Sequence, residues 1–300
     1  MKQIKVWLKA VRLRTLPLSV SGILIGNSLC FQDPEFSGIL FVLMLFTAIS
    51  FQIISNFAND YGDGVKGTDN DNRLGPKRVL QQGLLSREIL KKGIVIISLI
   101  SLLLAFVLIF LAFGSNSWYY ILIFIGLSFA SVWAAIFYTV GNKAYGYYGF
   151  GDLFVFLFFG GVSVLGAYFI QLKTFSYPAI LLSLVVGFLS VGVLNLNNMR
   201  DIDNDAFVGK RTLVVIMGAA IAKKYHLLLL IVSVSILVYV FSSVSIRFFW
   251  IPYLAIIPLI VHFISVLKNS KPKFFDPELK KLSLSIFFLS LLVFLSFYLG

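Results

Sequence analysis

The chain has 300 residues, of which 59% are hydrophobic and only 13% are charged, and its mean hydropathy is +0.94. Because soluble domains carry about 25% charged residues, this composition excludes an ordinary soluble protein and predicts an all-α polytopic membrane protein. The formal net charge of +12 does not predict nucleic-acid binding, since the sequence offers no soluble surface of interleaved basic and aromatic residues. We assign this charge to contact with anionic membrane lipid.

Nine apolar runs follow one another along the chain, and each is long enough for a helix that crosses the bilayer, which takes about 20 residues. The predicted spans are 15–32, 38–56, 93–114, 118–140, 152–172, 178–197, 226–244, 248–267 and 282–299. Residues 1–14 mix apolar and basic side chains, which predicts a short interfacial helix before the first span. We expect residues 1–300 to form a single intramembrane domain around a central cavity.

Lysine and arginine are distributed unevenly between the two sides of these spans. If the N-terminus is cytoplasmic, 23 of the 25 basic residues lie in cytoplasmic segments, and only Lys173 and Arg247 lie outside. Since basic residues concentrate on the cytoplasmic side of membrane proteins, we predict an integral protein of the cytoplasmic (inner) membrane with its N-terminus inside and its C-terminus outside. The polar connections 57–92 and 198–225 are then the predicted cytoplasmic catalytic loops.

Acidic and amide side chains lie at the end of the second predicted span and at the start of the first loop. Asn56, Asp60 and Asp63 are spaced i, i+4 and i+7, so their side chains share one face if the helix of the second span continues for two more turns. Basic residues follow the acidic ones along the loop. This order of charges suits a site that binds both a divalent cation and a phosphorylated ligand.

The second loop repeats this arrangement after the sixth span. Asn197, Asp201 and Asp205 are spaced i, i+4 and i+8, and Asn198 stands beside the first of them. Four spans separate the two acidic stretches, which predicts two pseudo-repeated halves of four helices with a ninth helix added. We expect the halves to bring the two acidic faces together across the cavity.

Carboxylate and amide oxygens on two facing helix ends suit Mg²⁺, a hard cation that is commonly shared with substrate phosphates. Such a cation offsets the charge of a bound diphosphate and stabilises it as a leaving group. Basic side chains that are expected to contact the phosphate oxygens are Lys66, Arg73, Lys77, Arg78, Arg200 and Lys210. Arg14, at the start of the first span, and Tyr138, near the end of the fourth, are further candidates for substrate binding.

Six short motifs carry a resemblance to a known family. They are RLRTLP at 12–17, NDYGD at 59–63, RLGP at 73–76, GDLFVF at 151–156, NNMRDIDND at 197–205 and GKRTL at 209–213. In these motifs the chain resembles the UbiA-type intramembrane prenyltransferases, and it is most similar to the branch that acts on 1,4-dihydroxy-2-naphthoate. The resemblance covers most of spans one to six. The third aspartate of the first motif follows Asp63 by six residues, which leaves open whether Asp69 or Asp71 reaches the metal.

The resemblance implies a nine-helix bundle whose cavity opens laterally to lipid, and two substrates, a polyprenyl diphosphate and 1,4-dihydroxy-2-naphthoate. The electron-rich ring would attack an allylic cation, and loss of CO₂ would give demethylmenaquinone, a step of menaquinone biosynthesis. The implied catalytic residues are Asp60, Asp63, Asp201 and Asp205, with one Mg²⁺ at Asn56, Asp60 and Asp63 and another at Asn197 or Asn198, Asp201 and Asp205. Asn59 and Asp69 join the expected substrate-binding residues.

Two alternatives remain open from the sequence. Within the same superfamily, the acceptor can be another aromatic compound such as 4-hydroxybenzoate or homogentisate, because the metal motifs do not distinguish acceptors. From a different class, a cation-coupled transporter also carries intramembrane acids and repeated halves. The acids of this chain are predicted at the cytoplasmic edge beside basic residues and not at mid-membrane, which favours the transferase.

Overall fold

The computed structural model describes residues 2–115, 117–269 and 271–300, and every regular element in this part of the chain is helical. The helices are α1 Lys2–Val11, α2 Leu16–Ser28, α3 Gly38–Val65, α4 Arg87–Phe113, α5 Trp118–Phe137, α6 Gly151–Leu172, α7 Tyr177–Arg200, α8 Ile202–Phe207, α9 Leu213–Ser243, α10 Ile251–Lys268 and α11 Pro272–Leu299. The all-helical prediction is confirmed.

Hydroxyl side chains mark where four of the long helices begin. The N-cap residues of α3, α4, α7 and α9 are Ser37, Ser86, Ser176 and Thr212, and each accepts a hydrogen bond from the backbone amide three residues further on. Such caps satisfy one of the amide groups that lack a partner in the first helical turn.

Eight of the described helices, α3 to α7 and α9 to α11, are long and apolar enough to cross a membrane. The predicted first span at 15–32 differs from these, because α2 ends at Ser28 after 13 residues, a length of about 20 Å. Turns and a bend follow it at 29–35, where Pro34 lacks the amide hydrogen that a helix would use. The chain is therefore a polytopic membrane protein, but helix length alone does not confirm the count of nine.

Four helices, α3, α4, α9 and α11, extend by six or more residues beyond their predicted spans. α3 continues to Val65, so that the first acidic face lies on one unbroken helix, as its spacing predicted. α9 begins at Leu213 and not at 226, which makes the second loop shorter than predicted. Gly218 breaks this helix with a φ of 77°, a value that is readily available only to glycine.

The fifth predicted span, α6, contains a π-helical segment at Phe156–Leu165. The helix packs closely against α2, since a Cβ added at Gly26 would lie 2.9 Å from the Cβ of Ala167. Wider turns of this kind are frequent at functional sites. Here Phe158 and Ser163 of the segment line the central cavity.

The main apolar core and the cavity occupy different parts of the bundle. Buried side chains of α7, α9, α10 and α11, among them Leu189, Leu237 and Ile286, form the core. The cavity is bounded by α2 to α7 and by the first turns of α11. Asp60 and Asp63 near the end of α3 and Asn197 and Arg200 at the end of α7 line the cavity together, so both acidic stretches reach it.

Candidate functional site

A cavity of about 840 Å³ leads from the bundle interior to the polar loops. Its wall is apolar along the helices, with Phe51, Phe124 and Phe158 among its side chains. Where α3 and α7 end, the wall becomes polar and includes Asn59 and Asn197. One space thus joins a surface suited to a hydrocarbon tail with a surface suited to ions.

The acidic face of α3 is buried and paired with basic side chains. Asn56, Asp60 and Asp63 each expose 2% or less of their surface. Asp63 accepts hydrogen bonds from Nη1 of Arg78 at 2.7 Å and from the hydroxyl of Tyr147 at 2.8 Å. Since a buried carboxylate requires a compensating charge, Arg78 is a principal partner of the first motif.

Arg12, which is not among the predicted site residues, contacts Asp60. Its backbone has a φ of 54° and turns the chain between α1 and α2. Asn56 holds the same segment by donating a hydrogen bond of 2.8 Å to the carbonyl of Val11. Arg14 also lines the cavity. Arg12, and not Arg14, is therefore the arginine of this segment that contacts a predicted metal ligand.

Asp69 and Asp71 have different surroundings, which bears on the choice that the sequence left open. Asp69 is buried, and its Oδ1 lies 3.2 Å from Nε of Arg78 and 3.5 Å from Nε of Arg73. Asp71 has a side chain that is 89% exposed and pairs with Nζ of Lys77 at 3.0 Å. Asp69 therefore belongs to the acidic cluster, whereas Asp71 and Lys77 form a pair on the surface.

The second motif is organised by one arginine. Nε and Nη2 of Arg200 bind the two carboxylate oxygens of Asp201 at 3.0 and 2.6 Å, and Nη2 also donates to Oδ1 of Asn197 at 2.9 Å. Nη1 of Arg200 donates to Asp276 at 2.6 Å. Asn198 is buried, and its Oδ1 has no hydrogen-bond partner among the described residues.

The structure brings the two motifs into contact. Nζ of Lys210 lies 3.7 Å from Oδ1 of Asp63 and 3.9 Å from Oδ1 of Asp205. Arg73, from the first loop, places Nε 3.4 Å from Oδ2 of Asp201. These basic residues therefore bridge carboxylates from both halves of the chain.

Gly75 allows the first loop to lie directly on the second motif. A Cβ at this position would lie 2.6 Å from Nη2 of Arg200 and 2.6 Å from Nη2 of Arg73. Contacts this short are essentially absent between real Cβ atoms and their neighbours, so a side chain at residue 75 would displace both guanidinium groups.

Three of the loop acids have pKa values that reflect their burial. Burial raises the pKa of Asp69 to about 6, although the charge of Arg78 opposes the change. Burial likewise raises the pKa of Asp205 to about 6, against the charge of Lys210. Burial also acts on Asp201, but the hydrogen bond and charge of Arg200 outweigh it and lower the pKa. An additional cation would stabilise the ionised forms of Asp69 and Asp205.

Tyrosine rings lie against the charged groups. The ring of Tyr147 is 3.8 Å from Nζ of Lys66 and 5.2 Å from Nζ of Lys210, distances at which a cation is attracted to the ring face. Tyr138 lines the cavity, and its ring centre is 5.4 Å from that of Tyr145. Tyr147 thus lies beside charged side chains, whereas Tyr138 belongs to the cavity wall.

The donor set fits a hard divalent cation. Among the described residues, no three acidic, histidine or cysteine side chains converge as a ready metal centre, because guanidinium groups lie between the carboxylates. Both carboxylate oxygens of Asp69 and Oδ1 of Asn198 and Asn204 are nonetheless buried without a hydrogen-bond partner in the described part of the chain. Oxygen atoms of this kind are the ligands that Mg²⁺ prefers. A cation bound at Asp60 or Asp63 would replace contacts that Arg12 and Arg78 make with these carboxylates.

Four residues of this site were not predicted: Arg12, Tyr147, Asn204 and Asp276. Arg12 and Asn204 lie inside the motifs at 12–17 and 197–205, so membership of a motif was an available signal. Tyr147 and Asp276 lie far from the aspartates along the chain, and no spacing pattern connects them.

Known proteins of one family match this chain over most or all of its length. Residues 19–297 match the UbiA prenyltransferase family. The 1,4-dihydroxy-2-naphthoate octaprenyltransferase of Haemophilus influenzae is 40% identical over 304 residues, which cover 100% of this chain and 96% of the relative. The Escherichia coli protein of the same name is 39% identical over 244 residues, 81% of this chain and 78% of the relative.

A solved structure has the same fold. A UbiA homologue from Archaeoglobus fulgidus, determined with DMAPP and Mg²⁺ bound, matches with a TM-score of 0.64 at 16% identity, over 96% of this chain and 99% of that chain. At this level of identity the likeness concerns the arrangement of helices.

Proposed function

Because the chain belongs to the UbiA prenyltransferase family, we propose that it transfers a polyprenyl group from a polyprenyl diphosphate to 1,4-dihydroxy-2-naphthoate. CO₂ and diphosphate are lost, and the product is demethylmenaquinone, an intermediate of menaquinone biosynthesis. The observation that carries this proposal is the 40% identity, over the whole chain, to a relative named for that reaction. The structure supports the proposal chemically, because an apolar cavity for a prenyl chain opens onto a buried acidic cluster suited to a cation and diphosphate.

The two acidic faces are proposed to hold Mg²⁺ with the diphosphate. One ion would bind at Asn56, Asp60 and Asp63, and the other at Asn197 or Asn198, Asp201 and Asp205. Support comes from their convergence at one end of the cavity and from the buried oxygens without hydrogen-bond partners among the described residues. Bound Mg²⁺ supplies positive charge that offsets the diphosphate as it leaves. Asp69, which is buried beside Arg73 and Arg78, is an additional candidate ligand, and the exposed Asp71 is assigned no part.

The basic side chains that now lie between the carboxylates are proposed to bind the diphosphate oxygens. Arg73 and Arg78 each contact two or more carboxylates, and a guanidinium group suits phosphate as well as it suits a carboxylate. On substrate binding they would exchange one anionic partner for another. Lys66 and Lys210 beside Tyr147, together with Arg14, Asn59 and Lys77 at the cavity wall, extend this polar surface.

The apolar part of the cavity is proposed to hold the prenyl chain and to keep the reacting carbon away from water. An allylic cation is destroyed by water, so its site must be dry. Phe124, Phe158 and Tyr138 line the wall, and the faces of such rings stabilise positive charge. These side chains therefore serve both packing and protection of the cation.

The polar loops are proposed to face the cytoplasm. With the N-terminus inside and nine crossings, 23 of the 25 basic residues lie on that side. The ninth crossing would be α2 together with the turns that follow it, in addition to the eight long helices. The bundle would then consist of two halves of four helices and one added helix, with the C-terminus outside.

Transfer by the purified protein in lipid vesicles tests this function. With Mg²⁺ and a long polyprenyl diphosphate, we expect prenylated product and CO₂ from 1,4-dihydroxy-2-naphthoate and no product from 4-hydroxybenzoate. Product from 4-hydroxybenzoate alone would retain the reaction and contradict the acceptor. No product from either acceptor, combined with cation-driven uptake of a solute into the vesicles, would favour the transporter.

A further inference from the structure

The first turns of α11 contribute a carboxylate to the acidic site. Oδ1 of Asp276 accepts a hydrogen bond of 2.6 Å from Nη1 of Arg200. The Asp276 side chain is 36% exposed and lines the cavity, whereas the Arg200 side chain is 1% exposed. Asp276 therefore stands at the cavity wall and binds an arginine that the protein encloses.

The remaining nitrogens of Arg200 are directed at the second motif. Nε and Nη2 bind both oxygens of Asp201, and Nη2 also reaches Oδ1 of Asn197. Planar bidentate contact fixes a carboxylate in both position and rotation. All three guanidinium nitrogens of Arg200 have protein acceptors. Besides its predicted contact with phosphate, Arg200 is therefore placed to orient two proposed metal ligands.

α11 is itself held by a buried polar network two residues beyond Asp276. Glu278 accepts a hydrogen bond of 2.7 Å from Ser265 and lies 2.8 Å from Nδ1 of His262, both on α10. Nε2 of His262 lies 3.0 Å from Nε2 of His226 on α9. A connected buried network of this kind makes its surroundings rigid, so Asp276 projects from a firmly held turn.

We propose that Asp276 is a positioning residue: it fixes Arg200, and Arg200 holds Asp201 and Asn197 in the orientation that binds the cation. The inference rests on the proposed function, because that cation belongs to the diphosphate site. Partners of this kind, one step removed from a metal, typically change metal affinity or activity by about 10- to 100-fold when they are removed. Without Asp276, Arg200 keeps its positive charge but loses one anchor, which weakens cation binding although every ligand remains.

Binding of Mn²⁺ to the purified full-length protein, in detergent with inorganic pyrophosphate and followed by electron paramagnetic resonance, tests this directly. Asp276→Ala is expected to raise the Kd for Mn²⁺ by about tenfold or more, whereas Asp276→Asn, which keeps an oxygen acceptor, is expected to stay within about threefold of the wild type. Transfer by Asp276→Ala should recover as the Mg²⁺ concentration is raised.

Asp203→Ala is the matched control, because it removes an exposed carboxylate from the same end of the bundle; Mn²⁺ binding and transfer should not change. Melting temperatures in detergent establish that each variant is folded. If Asp276→Ala does not fold, Asp276→Ser, whose side chain is too short to reach Nη1 of Arg200, takes its place with the same expected loss.

Wild-type Mn²⁺ affinity in the folded alanine or serine variant contradicts the proposal, whether or not transfer falls. An equal loss in Asp276→Asn also contradicts it, because the effect would then follow net charge and not the hydrogen bond to Arg200. If the wild-type protein binds no Mn²⁺, the proposed metal site is wrong, and this inference falls with it.

Discussion

Nδ2 of Asn204 donates a hydrogen bond of 2.9 Å to the backbone carbonyl of Thr68. Thr68 lies three residues beyond the end of α3, which carries the first acidic face, and Asn204 lies within the second acidic stretch. The two residues are 136 positions apart in the chain, and both are buried. The bond therefore joins the two polar loops directly.

Asn204→Ala should destabilise the protein and weaken its binding of polyprenyl diphosphate. Removing the donor leaves a buried carbonyl without this partner, which costs about 1–3 kcal/mol. We expect a lower melting temperature in detergent and a higher KM for the diphosphate substrate. Asn72→Ala, at an exposed position of the first loop, is the control. Unchanged melting and KM in Asn204→Ala would show that the bond does not hold the loops.

Asp69→Ala and Asp71→Ala should have very different effects, although only one residue separates these positions. Asp69 is buried between Arg73 and Arg78, whereas the Asp71 side chain is exposed and pairs with Lys77. Exposed ion pairs contribute about 0–1 kcal/mol, so Asp71→Ala should transfer at close to the wild-type rate. Loss of Asp69 leaves two buried arginines with less compensation, and we expect at least about a tenfold fall in kcat/KM. A larger fall in kcat/KM for Asp71→Ala than for Asp69→Ala would instead assign Asp71 to the site.

Tyr147→Phe should lower activity while leaving the fold intact. The change removes the hydroxyl that donates to Asp63 but keeps the ring beside Lys66. A hydrogen bond to a charged group contributes about 1.5–3 kcal/mol, which corresponds to roughly a tenfold loss of kcat/KM or more. Tyr148→Phe, at an exposed neighbouring ring, controls for the substitution. Wild-type kinetics in Tyr147→Phe would remove Tyr147 from the site.

The first acidic face could be predicted because it depends on local geometry, whereas the second acidic stretch is divided between α7 and α8 at Asp201 and does not lie on one helix. Residues four apart on a helix share a face whatever packs around them, and α3 does continue far enough to carry Asn56, Asp60 and Asp63 on one helix. The long apolar helices could be predicted for a similar reason, since each must satisfy its own backbone hydrogen bonds in lipid.

Contacts that depend on a single backbone conformation or on distant segments could not be predicted. The left-handed conformation of Arg12 makes Arg12 the partner of Asp60, and helical periodicity carries no information about such a residue. Asp276 reaches Arg200 only because α11 packs beside α7. Likewise α2 packs against α6 and α11 and ends after 13 residues, although its sequence is as apolar as that of a full span.

Two acidic stretches from separate parts of the chain are proposed to form one site for prenyl transfer. The most direct measurement is the rate of demethylmenaquinone formation by Asp60→Ala and Asp201→Ala, each reconstituted in vesicles with Mg²⁺ and saturating substrates. We predict that each variant inserts and melts as a folded protein but transfers at least about 100-fold more slowly than the wild type, because each removes a proposed metal ligand. Near-normal turnover in either variant would contradict a shared site.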